Sequence, residues 1–192
     1  MDIIDQLLQI DYRVFEAINH MQLPVLLDQI LIYWRTPLFW APFYTFVLSF
    51  FFFNFGKKGW LLLLFSLLVF GSADMMSSQI IKKSVQRVRP CRTEVGIKVT
   101  SRVRCGSGYS FTSSHATNHF ALATFWIFIL GGHLRGFKTG LIVWASLVCL
   151  AQVYVGVHYP SDVIGGAILG ILIGLAWSKV VSKFPPLMNL KT

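Results

Sequence analysis

Three short segments, far apart in the sequence, carry the residue types that bind phosphate and transfer it. They contain Lys82 and Arg89 in the first segment, Ser113, Ser114 and His115 in the second, and His158 and Asp162 in the third. Lysine and arginine neutralise phosphate oxygens, and arginine can do so with two parallel hydrogen bonds. A histidine can attack phosphorus or protonate the departing oxygen. These residues predict phosphoryl transfer, on condition that the fold brings the three segments together.

His158 and Asp162 lie on either side of a predicted helix start. Tyr159 precedes Pro160 and is biased away from helical geometry, so the proline is expected to begin a helix with Asp162 in its first turn. A carboxylate that holds one ring nitrogen of His158 leaves the other nitrogen free to attack phosphorus. The alternative interpretation is an ion pair that only ties two helices together.

Ser113, Ser114 and His115 are predicted to open another helix. The free N–H groups of a helix start and the serine hydroxyls suit phosphate oxygens, although an ordinary helix cap explains either serine equally well. His115 is interpreted as the acid that protonates the leaving oxygen, since imidazole titrates near neutral pH. His119 and His133 are interpreted as interfacial side chains.

Lys82 and Arg89 lie seven residues apart, which is about two helical turns. Both side chains are therefore expected to point to one side from the end of a helix, which Pro90 then terminates. The alternative is that these basic side chains only extend to the membrane surface.

The composition indicates the environment of these residues. The chain of 192 residues has 55% apolar and 13% charged residues and a mean hydropathy of +0.62, which predicts an integral membrane protein. The formal net charge of +9 lies in short stretches between apolar segments, so no nucleic-acid partner is expected. The first residues mix acidic and apolar side chains and do not predict a signal peptide.

Apolar segments of about 20 residues predict the membrane helices. Five are expected, at Pro37 to Phe55, Trp60 to Ile81, His115 to Leu130, Phe137 to Val157 and Asp162 to Val181. Ile3 to His20 predicts an amphipathic helix in the membrane interface, and Pro24 to Trp34 a half-span or second interfacial helix. The predicted fold class is all-α, a polytopic transmembrane helical bundle of five to six membrane helices plus the N-terminal amphipathic helix. It forms one domain over residues 1–192, with interfacial helices in 1–36 and a transmembrane core in 37–182.

Basic residues next to the spans indicate the orientation. They mark alternate loops and the C-terminal end as cytoplasmic, namely Lys57, Lys58, Arg135, Lys138, Lys179, Lys183 and Lys191. The segment between the second and third spans then faces outward, although it carries eight positive charges and only Glu94 as an acid. An anionic substrate bound there would account for this charge. The alternative is that the segment is cytoplasmic and obeys the positive-inside tendency.

Cys91 and Cys105 bracket the basic segment. A disulfide between them would close a loop of about fifteen residues, worth roughly 3 kcal/mol, and would require an oxidising compartment. Two unpaired thiols remain the alternative, because spacing alone does not prove connectivity. Cys149, inside a predicted span, is interpreted as a small apolar packing residue.

The order of the predicted spans places all three segments on one face of the membrane. Together, in this order and at this spacing, they resemble the three signatures of the type 2 phosphatidic acid phosphatase and vanadium haloperoxidase superfamily. The matching stretches are Lys82 with six residues before Arg89 and Pro90, Ser113 to His115, and Val155 to Asp162. The resemblance covers about residues 60 to 180.

This resemblance implies a helical bundle and a metal-independent phosphatase that uses no cofactor. It implies that His158 forms a phosphohistidine, that Asp162 orients it and that His115 protonates the leaving oxygen. It also implies that the phosphate oxygens are held by Lys82, Arg89, Ser113 and the Ser114 amide.

Two positions depart from the family pattern. Ser114 stands where the family usually has glycine, and its backbone N–H can still bind phosphate. Gln152 stands where the third motif normally carries a phosphate-binding arginine, and it is retained as a phosphate-binding candidate. Three interpretations stay open: a lowered activity, a deliberate change that traps the protein, or replacement by a nearby cation such as Arg92, Arg102 or Arg104.

The expected function is that of a lipid phosphatase in a bacterial inner membrane, with its active site on the periplasmic or outer side. Its partners would be the bilayer and a lipid phosphate, with undecaprenyl diphosphate as the first candidate. An active face at the membrane interface, on a bundle with a ridge of small residues at Gly166, Gly170 and Gly174, suits a phosphate carried on a lipid, because the tail can remain in the bilayer while the head group enters the site. Phosphatidylglycerophosphate, phosphatidate and lipid A phosphates remain alternatives, as do a lipid phosphotransferase and a non-enzymatic, lipid-binding family member. The sequence does not indicate an oligomeric state.

Overall fold

The computed structural model describes residues 2–92, 97–130 and 135–184. Within these ranges the secondary structure is helical and contains no strand, which confirms the predicted all-α fold class. The helices are α1 (Ile3–Asn19), α2 (Val25–Trp34), α3 (Ala41–Phe55), α4 (Lys58–Asp74), α5 (Lys82–Val85), α6 (Ser114–Leu130), α7 (Arg135–Tyr154) and α8 (Pro160–Val181). The expectations for Glu94, His133 and Lys191 concern residues outside the described ranges.

Three helical stretches in the described ranges are long and apolar enough to cross a bilayer. They are Pro37–Phe55, Lys58–Val85 and Pro160–Val181. The protein is therefore an integral membrane protein, as its composition predicts. Helices α6 and α7 stand beside these stretches, and the total of five to six membrane helices stays a prediction.

The second predicted span is longer than expected. Helix α4 continues through a π-helical stretch, Met75–Ile81, into α5 and ends only at Val85. Gln86 then adopts a left-handed conformation with φ of 53°, which terminates the helix. The prediction that Lys82 and Arg89 point to one side from the same helix is therefore wrong, because Arg89 lies beyond the helix end.

The fourth span ends earlier than predicted, at Tyr154, because Gly156 turns the chain with φ of +86°. A Cβ atom on Gly156 would lie 3.1 Å from the Val99 side chain and 3.2 Å from that of Asn19. The residues from Val155 to Tyr159 are fully buried and form a tight turn before α8. This turn carries His158, and we refer to it below as the histidine turn.

Helices α6 and α8 pack closely along the predicted ridge of small residues. A Cβ atom on Gly170 would lie 2.4 Å from the carbonyl oxygen of Thr117, and one on Gly166 would lie 2.6 Å from that of Ser113. Gly174 meets the carbonyl oxygen of Ala121 in the same way, at 2.6 Å. Backbone-to-backbone packing of this kind fixes the start of α6 against the start of α8.

Helix α1 presents two different faces. Several of its apolar side chains are exposed, among them Ile3 and Leu7, in keeping with the predicted amphipathic helix, whose interfacial position stays a prediction. Its other face buries Asp11, Phe15 and Asn19. Asn19 Nδ2 donates to the carbonyl oxygens of Tyr154 at 2.9 Å and Thr100 at 3.0 Å, so α1 is attached to the end of α7, directly before the histidine turn.

Candidate active site

His158 lies between a carboxylate and an arginine, and its side chain is only 3% exposed. Its Nε2 atom is 3.4 Å from Arg89 Nη1, and its Nδ1 atom is 3.5 Å from Asp162 Oδ2. A guanidinium can only donate, so Nε2 carries the lone pair and the ring proton is assigned to Nδ1, facing Asp162. This is the tautomer that a nucleophilic Nε2 requires.

The charge state of His158 follows from its burial. Burial lowers the pKa of His158 to about 4; the Asp162 carboxylate opposes this effect, and the positive charges of Arg89 and Lys82 add to it. The imidazole is therefore neutral near pH 7. A neutral ring retains the lone pair on Nε2 that nucleophilic attack needs.

Asp162 is fully buried and held by several donors. Its Oδ2 atom accepts hydrogen bonds from the Tyr159 amide at 2.8 Å and from the Ser110 hydroxyl. Its Oδ1 atom accepts from Arg87 Nη1 at 2.7 Å. The carboxylate is thus fixed in position beside His158, and Asp162 comes from the first turn of α8 as predicted.

Arg87 is a residue whose role sequence reasoning missed. It also donates to Asp11 at 2.7 Å and to the Ser161 hydroxyl at 2.6 Å, and it lies over the Tyr159 ring. Burial acts to lower the pKa of Arg87, but Asp162 and Asp11 outweigh it and raise that pKa. One pattern in the sequence could have indicated an acidic partner for Arg87. Asp11, Phe15 and Asn19 are spaced four residues apart and therefore lie on one face of α1, so an acid shares a face with an apolar side chain.

Arg89 and Lys82 approach the histidine from the segment before Pro90. Arg89 donates to the carbonyl oxygens of Gly108 and Val157, at 3.2 Å each, which holds it against the histidine turn. Lys82 is half-buried and lies within electrostatic range of Arg89 and His158. The two cations predicted to bind phosphate therefore converge on His158, despite the error in the predicted helix.

The start of α6 contacts the third segment and the π-helical stretch that precedes the first. The Ser113 amide donates to the carbonyl oxygen of Asp162 at 3.0 Å. The Ser114 hydroxyl hydrogen-bonds with Ser77 at 3.0 Å and with Ser78 at 2.9 Å, both in the π-helical stretch. These two serines were not identified from the sequence. They form hydrogen bonds with the Ser114 hydroxyl, which was predicted to face phosphate.

His115 projects from the first turn of α6 into the same region. It lies within electrostatic range of His158, Lys82 and Arg35. Its carbonyl oxygen accepts a hydrogen bond from His119 Nδ1 at 2.8 Å, and the His119 ring packs against Trp144 at 4.7 Å between centroids. The structure therefore gives His119 a packing role.

Gln152 is fully buried on the last turn of α7. Among the described residues, neither its amide oxygen nor its amide nitrogen has a hydrogen-bond partner. Arg102 does not stand in for the missing arginine, because it donates to Asp28 at 3.1 Å and to the carbonyl oxygens of Asn19 and Tyr154. Arg92 and Arg104 are both exposed.

Cys91 and Cys105 form a disulfide with Cα atoms 5.9 Å apart. The bond encloses the basic segment directly after Arg89 and Pro90. Cys149 is a free, half-buried thiol on α7.

A largely apolar cavity of about 510 Å³ opens beside His115. Its walls come from α3, α4 and α6, with side chains that include Tyr44, Leu48, Phe51, Leu67, Phe70 and Leu122. Its polar end contains Arg35, Asp74, Ser114, His115, Asn118 and His119. An apolar cavity with a polar end next to the site suits an amphiphilic ligand.

The fold and the site define an integral membrane protein with a buried histidine placed between a carboxylate and a cluster of cations. The chain belongs to the PAP2 superfamily, which matches residues 59–186. The family resemblance predicted from the three segments is confirmed, with nearly the predicted extent.

Named relatives of this chain are phosphatases. The lipid A 4'-phosphatase of Bacteroides thetaiotaomicron is 33% identical over 135 residues, covering 68% of this chain and 59% of that relative. The lipid A 4'-phosphatase of Porphyromonas gingivalis is 29% identical over 182 residues, covering 89% of this chain and 72% of that relative. The chain thus spans about three fifths of the first relative's length and about seven tenths of the second's.

The fold also resembles a solved structure. The crystal structure of a transmembrane PAP2 type phosphatidylglycerolphosphate phosphatase from Bacillus subtilis superposes with a TM-score of 0.71 and 26% identity. The match covers 93% of this chain and 88% of that chain.

Proposed function

We propose that this protein is a metal-independent lipid phosphatase that works through a phosphohistidine at His158. The observation that carries the proposal is the placement of His158, with Nε2 toward Arg89 and Nδ1 toward Asp162. A neutral, oriented imidazole beside fixed cations is the arrangement that nucleophilic attack on a phosphate requires. The phosphatase names of the relatives support the same function.

The reaction proceeds in two steps. In the first, His158 Nε2 forms a bond to phosphorus while the bond to the leaving oxygen breaks, and His115 gives a proton to that oxygen. In the second, His115 takes a proton from water as the water oxygen bonds to phosphorus, and the bond between phosphorus and Nε2 breaks. Inorganic phosphate leaves, and His158 recovers its lone pair.

The phosphate oxygens are held by the groups that converge on His158. Arg89 and Lys82 supply positive charge, and the backbone N–H groups at the start of α6, including that of Ser114, supply further donors. Ser113 contributes its hydroxyl, and Gln152 can offer a neutral N–H donor where the family has an arginine. Asp162 holds the ring of His158 and stabilises the positive charge that forms on it.

The substrate is a phosphate or diphosphate on a lipid. The apolar cavity supports this class, because a hydrocarbon tail can occupy it while the head group reaches His115. Undecaprenyl diphosphate is the first candidate. The names of the relatives favour lipid A 4'-phosphate and phosphatidylglycerophosphate as second candidates, with phosphatidate as a further alternative.

The active site faces the periplasm or the cell exterior from a bacterial inner membrane. The basic residues at the opposite helix ends support this orientation, and so does the disulfide between Cys91 and Cys105, which is stable in an oxidising compartment.

Phosphate release from purified protein tests the function. Undecaprenyl diphosphate, phosphatidylglycerophosphate, phosphatidate and lipid A are each incubated with the wild type and with His158→Ala in detergent and EDTA. We expect release by the wild type and none by His158→Ala. No phosphate release from any of these lipids would refute the phosphatase function, and transfer of labelled phosphate to a second lipid would identify a phosphotransferase.

A further inference from the structure

We propose that Arg35 binds negative charge on the leaving group, so that the enzyme prefers lipid phosphates whose leaving group is itself anionic, such as lipid diphosphates. This inference rests on the proposed function of the same site. It assigns a substrate contact to a residue that lies outside all three motif segments.

Arg35 is a half-buried cation that forms no ion pair with a carboxylate of the described residues. It directly follows α2, and Thr36 and Pro37 lead from it into α3. Its Nε atom is buried and has no hydrogen-bond partner among the described residues. Among the described residues, Arg87 and Arg102 are each paired with a carboxylate at 2.7 to 3.1 Å, whereas no described carboxylate forms such an ion pair with Arg35.

The surroundings of Arg35 are positively charged. It lies within electrostatic range of Arg89 and His115. Burial lowers the pKa of Arg35, and the charge of Arg89 adds to this effect. Asp74 lines the same cavity, but its Oδ1 atom accepts from Ser78 at 3.1 Å and Asn118 at 3.3 Å. A bound anion would therefore relieve an unfavourable concentration of charge at Arg35.

The position of Arg35 identifies the part of the substrate that it contacts. Arg35 and His115 both line the polar end of the apolar cavity, and neither Arg89 nor His158 is among the lining residues. The proposed acid, His115, must face the leaving oxygen, and the tail of the leaving group extends into the cavity. A second phosphate next to that oxygen would lie beside Arg35.

The proposed contact between Arg35 and the substrate would also compensate for the family arginine that Gln152 replaces. The family arginine at that position would add a positive charge on the His158 side, and this chain lacks it. Arg102 is held by Asp28 and by backbone carbonyl oxygens. Among the described residues, Arg35 is a partly buried arginine with no carboxylate partner, and it would place positive charge on the leaving side of the phosphate.

A pair of substrates with the same tail tests the proposal. Farnesyl diphosphate and farnesyl phosphate are compared by kcat/KM with the wild type, Arg35→Gln and Arg35→Lys, and with Arg104→Gln as an exposed control. Arg35→Gln should lower kcat/KM about 30-fold for the diphosphate and less than about threefold for the monophosphate. For the diphosphate, kcat/KM of Arg35→Lys should lie between those of the wild type and Arg35→Gln, since lysine keeps the charge without the bidentate contact. Equal losses on both substrates would overturn the proposal, and retained monophosphate turnover shows that the variant is folded.

A measurement without turnover separates this inference from the proposed function. Pyrophosphate should raise the melting temperature of the wild type more than inorganic phosphate does, and Arg35→Gln should remove that difference. If this difference appears while no lipid is hydrolysed, the phosphatase function fails and Arg35 stands as an anion site. If lipids are hydrolysed and pyrophosphate stabilises the wild type and Arg35→Gln equally, only the Arg35 proposal fails.

Discussion

Asp11, near the middle of the N-terminal helix, forms an ion pair at 2.7 Å with Arg87, which in turn contacts Asp162 at 2.7 Å. Asp11 also accepts hydrogen bonds from the Ser161 amide at 2.8 Å and the Ser161 hydroxyl at 2.6 Å. Helix α1 is thereby attached to the carboxylate that holds His158. An N-terminal helix that could have been only a membrane anchor is part of the support of the site.

We expect Asp11→Asn to act on catalysis through Arg87. Arg87 is held by the carboxylates of Asp11 and Asp162, and loss of the first lets it shift away from the second. We therefore expect kcat to fall about tenfold with little change in KM. The melting temperature should drop by about 5 °C. Arg13→Gln, an exposed charge on the same helix, is the control and should change neither value. A purely structural role for Asp11 would lower the melting temperature and leave kcat intact.

Gln152→Arg should preserve or raise turnover. The substitution restores a charged donor at a buried amide that has no partner among the described residues, and a gain in kcat/KM of up to about tenfold is expected. Phosphate release from the preferred lipid measures it. Turnover that is unchanged both by this variant and by His158→Ala would refute the site assignment.

The rate should depend on pH through His158. Its pKa is lowered to about 4, so the nucleophile is neutral above about pH 5 and becomes protonated as the pH falls through 4. We expect kcat/KM to decline on the acid side with a midpoint near 4 and not near the usual histidine value of about 6.5. A pH profile of kcat/KM between about 2.5 and 8, in buffers of constant ionic strength, measures this decline, which should approach about one decade of rate per pH unit below the midpoint. A decline of kcat/KM centred at about pH 6.5 would contradict this prediction and show that the His158 ring is solvated.

Gly170→Ala should separate α6 from α8. The added Cβ would lie 2.4 Å from the Thr117 carbonyl oxygen, and the resulting strain should cost about 2 kcal/mol of stability and lower the melting temperature by about 6 °C. Gly71→Ala is a matched control on α4, where a Cβ meets nothing within 4 Å, and it should leave stability nearly unchanged. Equal effects of the two variants would contradict the close packing of the ridge.

Much of the site could be predicted because its signals are local. Pro160 begins α8 and places Asp162 one turn after His158 through backbone geometry that spans only a few residues. Hydropathy likewise identifies apolar helices without any knowledge of their neighbours. The predicted helical alignment of Lys82 with Arg89 failed because Gln86 leaves the helical conformation, and no residue type near it marks that change.

The sequence by itself determined an all-helical membrane protein, its family, and three segments able to handle phosphate, since periodicity, hydropathy and motif spacing act along the chain. Tertiary structure alone decided that Asp11 supports Arg87, that Ser77 and Ser78 hold Ser114, and that Arg35 and His115 line the same cavity. Partners such as Asp11 and Arg87 are separated by 76 residues. Their meeting depends on how the helices pack, and the packing is set by the summed contacts of many side chains and not by any local pattern.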